Sequence, residues 1–256
     1  MNEEIIFLGQ AGFRLCLGGT VIFIDPYFSN SVAETEGIEL SRMVDIPVPP
    51  ELVRDANVLL ITHNHQDHCD MQTVIPLLQA SVSCTVYCPN AVRNALIEAG
   101  IAPTRINVIN EDWTPITNDL QIKGIPAAHP EISRDRDGYL FQVGFLIRHK
   151  NRYIYHSGDT CVDQNIIDTL KGQVIDIALL PVNEKNFFRD RKNIIGNMSI
   201  REAFQFAEEI GVKTVIPMHW DMFEFNSVFK EEIELLYRLI APKFDLVFAP
   251  RLQGSQ

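Results

Sequence analysis

The sequence predicts an α/β fold, because segments with the apolar pattern of strands alternate with segments that have the apolar spacing of helices. The alternation extends through two approximate halves of the 256 residues, which we expect to form a single domain over residues 1–256. His and Asp residues recur directly after the predicted strands. We therefore expect these polar side chains to lie together along one sheet edge.

The first half begins with β-structure and continues with alternating strands and helices. Strands are predicted over residues 4–8, 13–17, 21–24, 58–61 and 85–87. Gly18 and Gly19 supply the hairpin turn between the second and third of these strands. One helix is predicted from Met71, and another begins at Asn90 and closes at Gly100.

The second half has a similar organisation. Strands are predicted over residues 119–127, 139–148, 152–156, 175–181 and 214–217. Helices are predicted over residues 162–170, from Ser199 to Gly211, and over residues 227–239. Ser199 and Glu202 have the spacing of a capping box, which predicts where the second of these helices begins.

Charge and hydropathy exclude two classes of partner. The formal net charge of −11 would repel a polyanion, whereas nucleic-acid binding generally requires a basic surface. The apolar runs are shorter than the roughly 20 residues that span a bilayer, and the first ten residues carry acidic groups where a signal peptide would be basic. We therefore predict a cytoplasmic protein that binds neither nucleic acid nor membrane and acts on a small molecule.

The densest group of potential metal ligands follows the predicted strand over residues 58–61. Four such side chains fall within six residues: His63, His65, Asp67 and His68. Imidazole nitrogens and carboxylate oxygens suit Zn, Mn or Fe. Three of the seven histidines are used here, so this segment predicts a site for one or two divalent ions.

Three further residues extend the predicted site. His129 and His219 each follow an apolar strand that would reach the same edge. Asp159 lies in a Ser-Gly-Asp-Thr segment, where glycine permits a sharp turn and the two carboxylate oxygens can bridge two cations. His156 precedes that turn, and we prefer Asp159 to His156 as the ligand.

The order of these motifs resembles that of the metallo-β-lactamase superfamily. Within it, the chain resembles the L-ascorbate-6-phosphate lactonase group in six segments: LGQAGF (8–13), IDPYFS (24–29), ITHNHQDHCD (61–70), HSGDT (156–160), NIIGNM (193–198) and IPMHWDMF (216–223). The resemblance extends from near the N-terminus to about residue 225, which is nearly the whole chain.

The resemblance implies a four-layer αββα sandwich with two metal ions, Mn or Zn, along one edge of the paired sheets. One ion would take three histidines: His63, His65 and His129. The other would take Asp67, His68 and His219, with Asp159 bridging the two ions. Asp25 is predicted to orient a ligand histidine through a hydrogen bond, since such carboxylates fix the imidazole tautomer.

The implied activity is a metal-dependent hydrolase that opens a lactone, L-ascorbate-6-phosphate or a related sugar-acid lactone, with a hydroxide that bridges the ions. Asp67 is the predicted catalytic proton carrier. Two alternatives stay open: a binuclear-metal phosphodiesterase on a small substrate, and a non-hydrolytic iron-binding redox protein. The second is weakened because di-iron oxidoreductases of the superfamily usually have Glu at the position of His65.

The substrate contacts are predicted outside the ligand motifs. Arg189 and Arg191 lie in a basic and aromatic stretch that suits a small, phosphorylated or otherwise anionic substrate. Asn197, in the NIIGNM motif, is the third predicted contact. The alternative for the basic stretch is a solvated loop. Because the lactonase group forms assemblies, a homo-oligomer is also open.

Overall fold

The computed structural model describes residues 3–252 and contains two β-sheets that pack face to face. The strands have the following bounds: β1 Glu4–Gly9, β2 Gly12–Leu17, β3 Thr20–Ile24, β4 Val58–Leu60, β5 Thr85–Cys88, β6 Ile106–Val108, β7 Thr114–Pro115, β8 Leu120–Pro126, β9 Val143–His149, β10 Arg152–His156, β11 Ile177–Pro181, β12 Thr214–Met218 and β13 Asp245–Leu246. The helices have these bounds: α1 Ser31–Glu36, α2 Met71–Ala80, α3 Asn90–Glu98, α4 Gln164–Leu170, α5 Phe187–Asp190, α6 Ile200–Glu209 and α7 Lys230–Ile240.

The first sheet has the strand order β1-β2-β3-β4-β5-β6. Its first three strands are antiparallel, whereas β3, β4, β5 and β6 are parallel. The carboxyl ends of β3 and β4 therefore lie side by side at one edge. This edge receives Asp25, which directly follows β3, and His63, which follows β4 after two residues.

The second sheet has the order β13-β12-β11-β10-β9-β8-β7. Strands β10 to β13 are parallel, and β8 runs in the same direction as β10 because both are antiparallel to β9. Strands β8, β10 and β12 therefore end at one edge. The residues that follow them are His129, Asp159 and His219.

Three apolar clusters separate four layers. The cluster between the sheets includes Phe13 and Ile24 from the first sheet, and Phe145 and Leu179 from the second. The outer face of the first sheet packs against α2 and α3. The outer face of the second packs against α4, α6 and α7. Such burial of apolar side chains is the main favourable term in folding, and it confirms the predicted α/β fold with αββα layers.

The capping box is also confirmed, because the Ser199 hydroxyl accepts the Glu202 backbone N–H while the Glu202 carboxylate accepts the Ser199 N–H. The strand predicted over residues 139–148 begins later, at Val143. Residues before it pair locally in a loop instead, with the Phe141 N–H donating to the Ser133 carbonyl at 3.1 Å. Among residues 3–252, each helix is too short or too polar to cross a membrane.

Candidate metal centre

The segment after β4 forms a tight turn that aims several side chains at one point. The backbone N–H groups of His68 and Cys69 both donate to the His65 carbonyl, at 3.0 and 2.8 Å. Helix α2 follows directly, and the Asp70 carboxylate caps it by accepting the Gln72 N–H. A strand end and a capped helix thus fix the turn at both sides.

The first predicted group of ligands comes together in the structure. One ligand atom from each of His63, His65 and His129 lies within 4.8 Å of the other two. The Nδ1 atom of His65 is 3.3 Å from Nε2 of His129, although 64 residues separate them in sequence. This close approach of two imidazole nitrogens suits a shared cation, because both lone pairs would then be directed at the ion.

The second predicted group also comes together, with ligand atoms of Asp67, His68 and His219 within 4.8 Å of one another. The Asp67 Oδ2 atom is 3.6 Å from Nε2 of both histidines. His219 has a φ of +59°, a left-handed conformation that turns its side chain away from the direction of β12. Its N–H donates to the Gln10 carbonyl at 2.6 Å, which holds this turn.

Asp159 lies between the two groups. Its Oδ1 is 3.4 Å from Nε2 of His68, and its Oδ2 is 3.7 Å from Nε2 of His129 and 3.3 Å from Nε2 of His219. Gly158 makes this position reachable, because its φ is +61° and a Cβ there would lie 2.7 Å from the Val143 carbonyl oxygen. The geometry suits a carboxylate shared by two ions.

Several ligand atoms are buried without a hydrogen-bond partner in the described part of the chain. They are Nε2 of His63, Nε2 of His68 and Oδ1 of Asp159. A buried polar atom without a partner costs about 1–3 kcal/mol, so three of them in one place suit a bound cation. The nitrogen and oxygen donor set fits Zn or Mn.

The histidines of the centre differ in pKa because their electrostatic surroundings differ. Burial, reinforced by the neighbouring His68, lowers the pKa of His63 well below its usual value. Burial also lowers the pKa of His129 to about 4. At His219 the carboxylates of Asp159 and Asp67 outweigh burial and raise the pKa to about 9. Two negative charges therefore draw protons, or cations, to one side of the centre.

A hydrogen-bond network fixes His68 from behind. The Asp25 Oδ2 atom lies 2.7 Å from Nδ1 of His68, and it also accepts the Thr62 hydroxyl at 2.5 Å. The other oxygen, Oδ1, accepts the Thr62 N–H at 2.8 Å. The structure thus brings Asp25 to the ring nitrogen that is opposite the ligand atom, where a carboxylate fixes the tautomer.

His156 has a different position from the ligand histidines, and it belongs to none of the three metal-type groups among residues 3–252. Its Nε2 donates to the Ala11 carbonyl at 2.8 Å, and its Nδ1 accepts the Gly158 N–H at 3.1 Å. His156 therefore links the β1–β2 hairpin to the turn that carries Asp159.

Gln10 is a site residue that the sequence reasoning missed. It lies at the tip of the β1–β2 hairpin, is fully buried, and donates from Nε2 to Asp67 Oδ2 at 2.6 Å. The signal that marks it is the two-residue hairpin loop, which projects the side chain past the sheet edge.

A cavity of about 680 Å³ opens over the centre, with His65, Asp67, Asp159 and His219 at its base. Its walls combine apolar with polar and charged side chains: Val32, Glu36, Glu39, Leu40, Gln66, Lys192, Asn193, Ile194, Ile195, Phe223, Phe225 and Asn226. A cavity of this size, in which several polar groups converge beside apolar side chains, suits a small polar molecule.

The three predicted substrate contacts lie outside this lining. Arg189 donates to the carbonyls of Phe225, Glu184 and Ser227 at 2.6–3.0 Å, which uses its guanidinium to hold the loop. Arg191 stacks on Phe187, with its Cζ 5.8 Å from the ring centroid.

Asn197 is also buried away from the cavity, where its Nδ2 donates to Asn183 Oδ1 at 3.0 Å. The basic side chain that does line the cavity is Lys192.

Proteins with a similar sequence are known. A family model described as "Beta-lactamase superfamily domain" matches residues 20–220. A protein of Rubrobacter xylanophilus named UPF0173 metal-dependent hydrolase is 29% identical over 242 residues, covering 91% of this chain and 88% of the relative.

Two solved structures have the same fold. Igni18, a metallo hydrolase of Ignicoccus hospitalis, superposes with a TM-score of 0.72 at 17% identity, covering 97% of this chain and 95% of that one. An isothiocyanate hydrolase from Delia radicum gut bacteria superposes with a TM-score of 0.73 at 19% identity, covering 95% of both chains.

Two packed mixed sheets with a His/Asp centre at their shared edge define the metallo-β-lactamase type of fold. Because the family model spans residues 20–220, more than three quarters of the chain, this protein belongs to the beta-lactamase superfamily.

Proposed function

We propose that this protein is a metal-dependent hydrolase with two divalent ions, Mn or Zn. The observation that carries the proposal is the set of buried, unpartnered ligand atoms where the two sheets meet, among residues 3–252. Three histidines would hold the first ion: His63, His65 and His129. The group of Asp67, His68 and His219 would hold the second. Asp159 would contribute to both, and Asp25 orients His68.

When bound, such ions lower the pKa of water toward neutrality and polarise a substrate oxygen. The chain supplies a proton carrier beside them, because Asp67 is a partly exposed carboxylate at the base of the cavity. Its neighbours His68 and His219 lower the pKa of Asp67 although its partial burial opposes this, so the carboxylate is ionised, the form in which a proton carrier begins.

The cavity supports a small, oxygen-rich, anionic substrate. Lys192 provides a cation on one wall, with its Nζ 3.4 Å from the centroid of the Phe225 ring. Glu36 and Glu39 provide acceptors for substrate hydroxyls elsewhere in the lining. We propose a sugar-acid lactone, phosphorylated or otherwise anionic, as the substrate class, with ring opening at the carbonyl carbon.

The test is a hydrolysis screen of the metal-free protein reloaded separately with Mn²⁺, Zn²⁺ and Fe²⁺. Substrates are sugar-acid lactones, with and without phosphate, phosphodiesters and thioesters. We expect lactone opening in wild type and a loss of at least a hundredfold in His65→Ala, which removes a first-ion ligand.

Brisk phosphodiester cleavage without lactone opening would contradict the substrate and favour the phosphodiesterase alternative. Oxygen consumption by the iron-loaded protein, with no hydrolysis under any metal, would contradict the hydrolase itself. A matched control is His149→Ala, because that histidine bonds Glu3 at 2.7 Å and belongs to no metal-type group among the described residues.

A further inference from the structure

The Gln10 amide reaches the metal centre from the tip of the β1–β2 hairpin. Its Nε2 atom lies 2.6 Å from Asp67 Oδ2 and 3.0 Å from His219 Nε2. Both of those atoms belong to the group that we assign to the second ion. The amide therefore lies next to the proposed ligand atoms of the second ion.

The position of Gln10 is fixed by contacts with two segments, the loop after β12 and the end of β10. Its N–H donates to Asp221 Oδ1 at 3.1 Å, and its carbonyl accepts the His219 N–H at 2.6 Å. The next residue, Ala11, accepts from His156 at 2.8 Å. Gln10 has a φ of +57°, which costs a non-glycine residue about 1–2 kcal/mol. The backbone contacts offset that cost and hold the side chain in the centre.

The distances among these atoms match one face of a coordination shell. The Gln10 amide atom, Asp67 Oδ2 and His219 Nε2 are separated by 2.6, 3.0 and 3.6 Å. Ligands at about 2.1 Å from an ion and at right angles to one another are roughly 3 Å apart. An ion that binds Asp67 and His219 would therefore also meet the Gln10 amide.

The Oε1 atom of Gln10 is buried and has no hydrogen-bond partner within residues 3–252. A half-turn about the Cγ–Cδ bond exchanges Oε1 and Nε2 and leaves the shape of the side chain nearly unchanged. Because a cation requires the oxygen, we propose that Gln10 is a further ligand of the second ion, which it binds through Oε1. This inference rests on the proposed two-ion function.

The additional oxygen has a consequence for the choice of metal. The second ion would have oxygens from Asp67, Asp159 and Gln10 beside two imidazole nitrogens. A set of more than four ligands that is rich in oxygen favours Mn²⁺, whereas Zn²⁺ prefers four ligands. The first ion, with three histidines and Asp159, has a donor set that suits Zn²⁺.

The test is a titration of metal-free protein with Mn²⁺, in which the electron paramagnetic resonance signal of the free ion reports two binding steps. Gln10→Leu keeps the size and removes the ligand oxygen, and Gln10→Glu restores an oxygen. Gln66→Leu is the matched control, because Gln66 lines the same cavity but bonds Thr35 at 2.7 Å.

We expect Gln10→Leu to weaken the step at the second-ion group at least tenfold and to leave the step at the three histidines within twofold. We call these the second and the first step, whatever their order in the titration. Gln10→Glu should bind the second ion as tightly as wild type or more tightly, and Gln66→Leu should match wild type. The step that stays unchanged, which we assign to the three histidines, also shows that each variant is folded.

Two results would overturn the inference while wild type still binds two ions: an unchanged second step in Gln10→Leu, or a loss in Gln10→Glu as large as in Gln10→Leu. The latter would mean that the amide N–H acts only by orienting Asp67. Failure of wild type to bind either Mn²⁺ or Zn²⁺ would instead contradict the proposed function.

Discussion

Asp25 and His68 form a fully buried pair in which the carboxylate oxygen and the imidazole Nδ1 are 2.7 Å apart. The pair leaves Nε2 of His68, the atom with no partner among residues 3–252, directed at the centre. The same carboxylate also accepts the N–H and hydroxyl of Thr62. One side chain thus fixes both a ligand and the residue before the His63–His68 turn.

Asp25→Asn is expected to lower the affinity for the second ion by about 10- to 100-fold, as is usual when such an orienting partner is lost. Asparagine has one acceptor oxygen, so it cannot accept from His68 and from both Thr62 donors. Mn²⁺ titration of metal-free protein measures the change. Asp55→Asn, which alters a surface pair with Arg14, is the control. Equal affinities in all three proteins would contradict the role of Asp25.

Thr160 joins the loops that carry His129 and Asp159. Its hydroxyl accepts the Ala128 N–H at 3.0 Å, and the Cys161 N–H donates to the Ala128 carbonyl at 2.7 Å. Thr160→Val would leave the buried Ala128 N–H unpaired, at a cost of about 1–3 kcal/mol in the free energy of unfolding. Urea unfolding of metal-free protein measures this cost.

Thr160→Ser keeps the hydroxyl and is the matched variant. We expect it to retain most of the stability and the first-ion affinity, whereas Thr160→Val loses both because His129 is no longer held in place. A valine variant as stable as the serine variant would show that the loops are held by other contacts.

The stability of the metal-free protein should depend on pH through His219. The carboxylates of Asp159 and Asp67 raise its pKa from 6.5 to about 9, although burial opposes this. A raised folded-state pKa contributes stability that is full below pH 6.5 and is lost as the pH rises to about 9. The loss is about 3 kcal/mol at most.

We therefore expect the melting temperature of chelator-treated protein to fall between pH 6.5 and 9. The Mn²⁺-saturated protein should lack this fall, because the ion replaces the proton on the ligand. Calorimetric scans at several pH values measure both, and His219→Ala should have a smaller pH dependence. The same slope in wild type and His219→Ala would exclude His219 as the source.

The α/β class and the candidate ligand residues follow from local sequence patterns, whereas the four layers and the division of the ligands between two ions follow from the resemblance to the metallo-β-lactamase superfamily. Strand β4 is a short apolar run, and His63 and His65 follow it within five residues. Where the parallel strands end together, side chains far apart in sequence, such as His129 and His219, reach the same place. That outcome requires only the strand order and direction.

Gln10 and the cavity walls were less accessible, because they depend on contacts between distant segments. A glutamine at a hairpin tip has no charge pattern that distinguishes it from a solvated turn residue. The sequence predicts that Arg189 contacts the substrate. In the structure its guanidinium donates to three backbone carbonyls, two of them in the loop after His219. Such pairing follows from the packing of loops, which sequence spacing does not encode.

Lys192 rather than Arg191 is expected to bind the anionic group of the substrate. Lys192 lines the cavity beside Phe225, whereas Arg191 stacks on the exposed Phe187. Lys192→Met keeps the length of the side chain and removes its charge, so KM for a phosphorylated lactone should rise about tenfold with little change in kcat. Arg191→Met is the matched control and should leave KM within twofold. A neutral lactone supplies the second comparison, because Lys192→Met should leave its KM unchanged. An equal rise in KM for both substrates would show that Lys192 shapes the cavity without pairing with the anion.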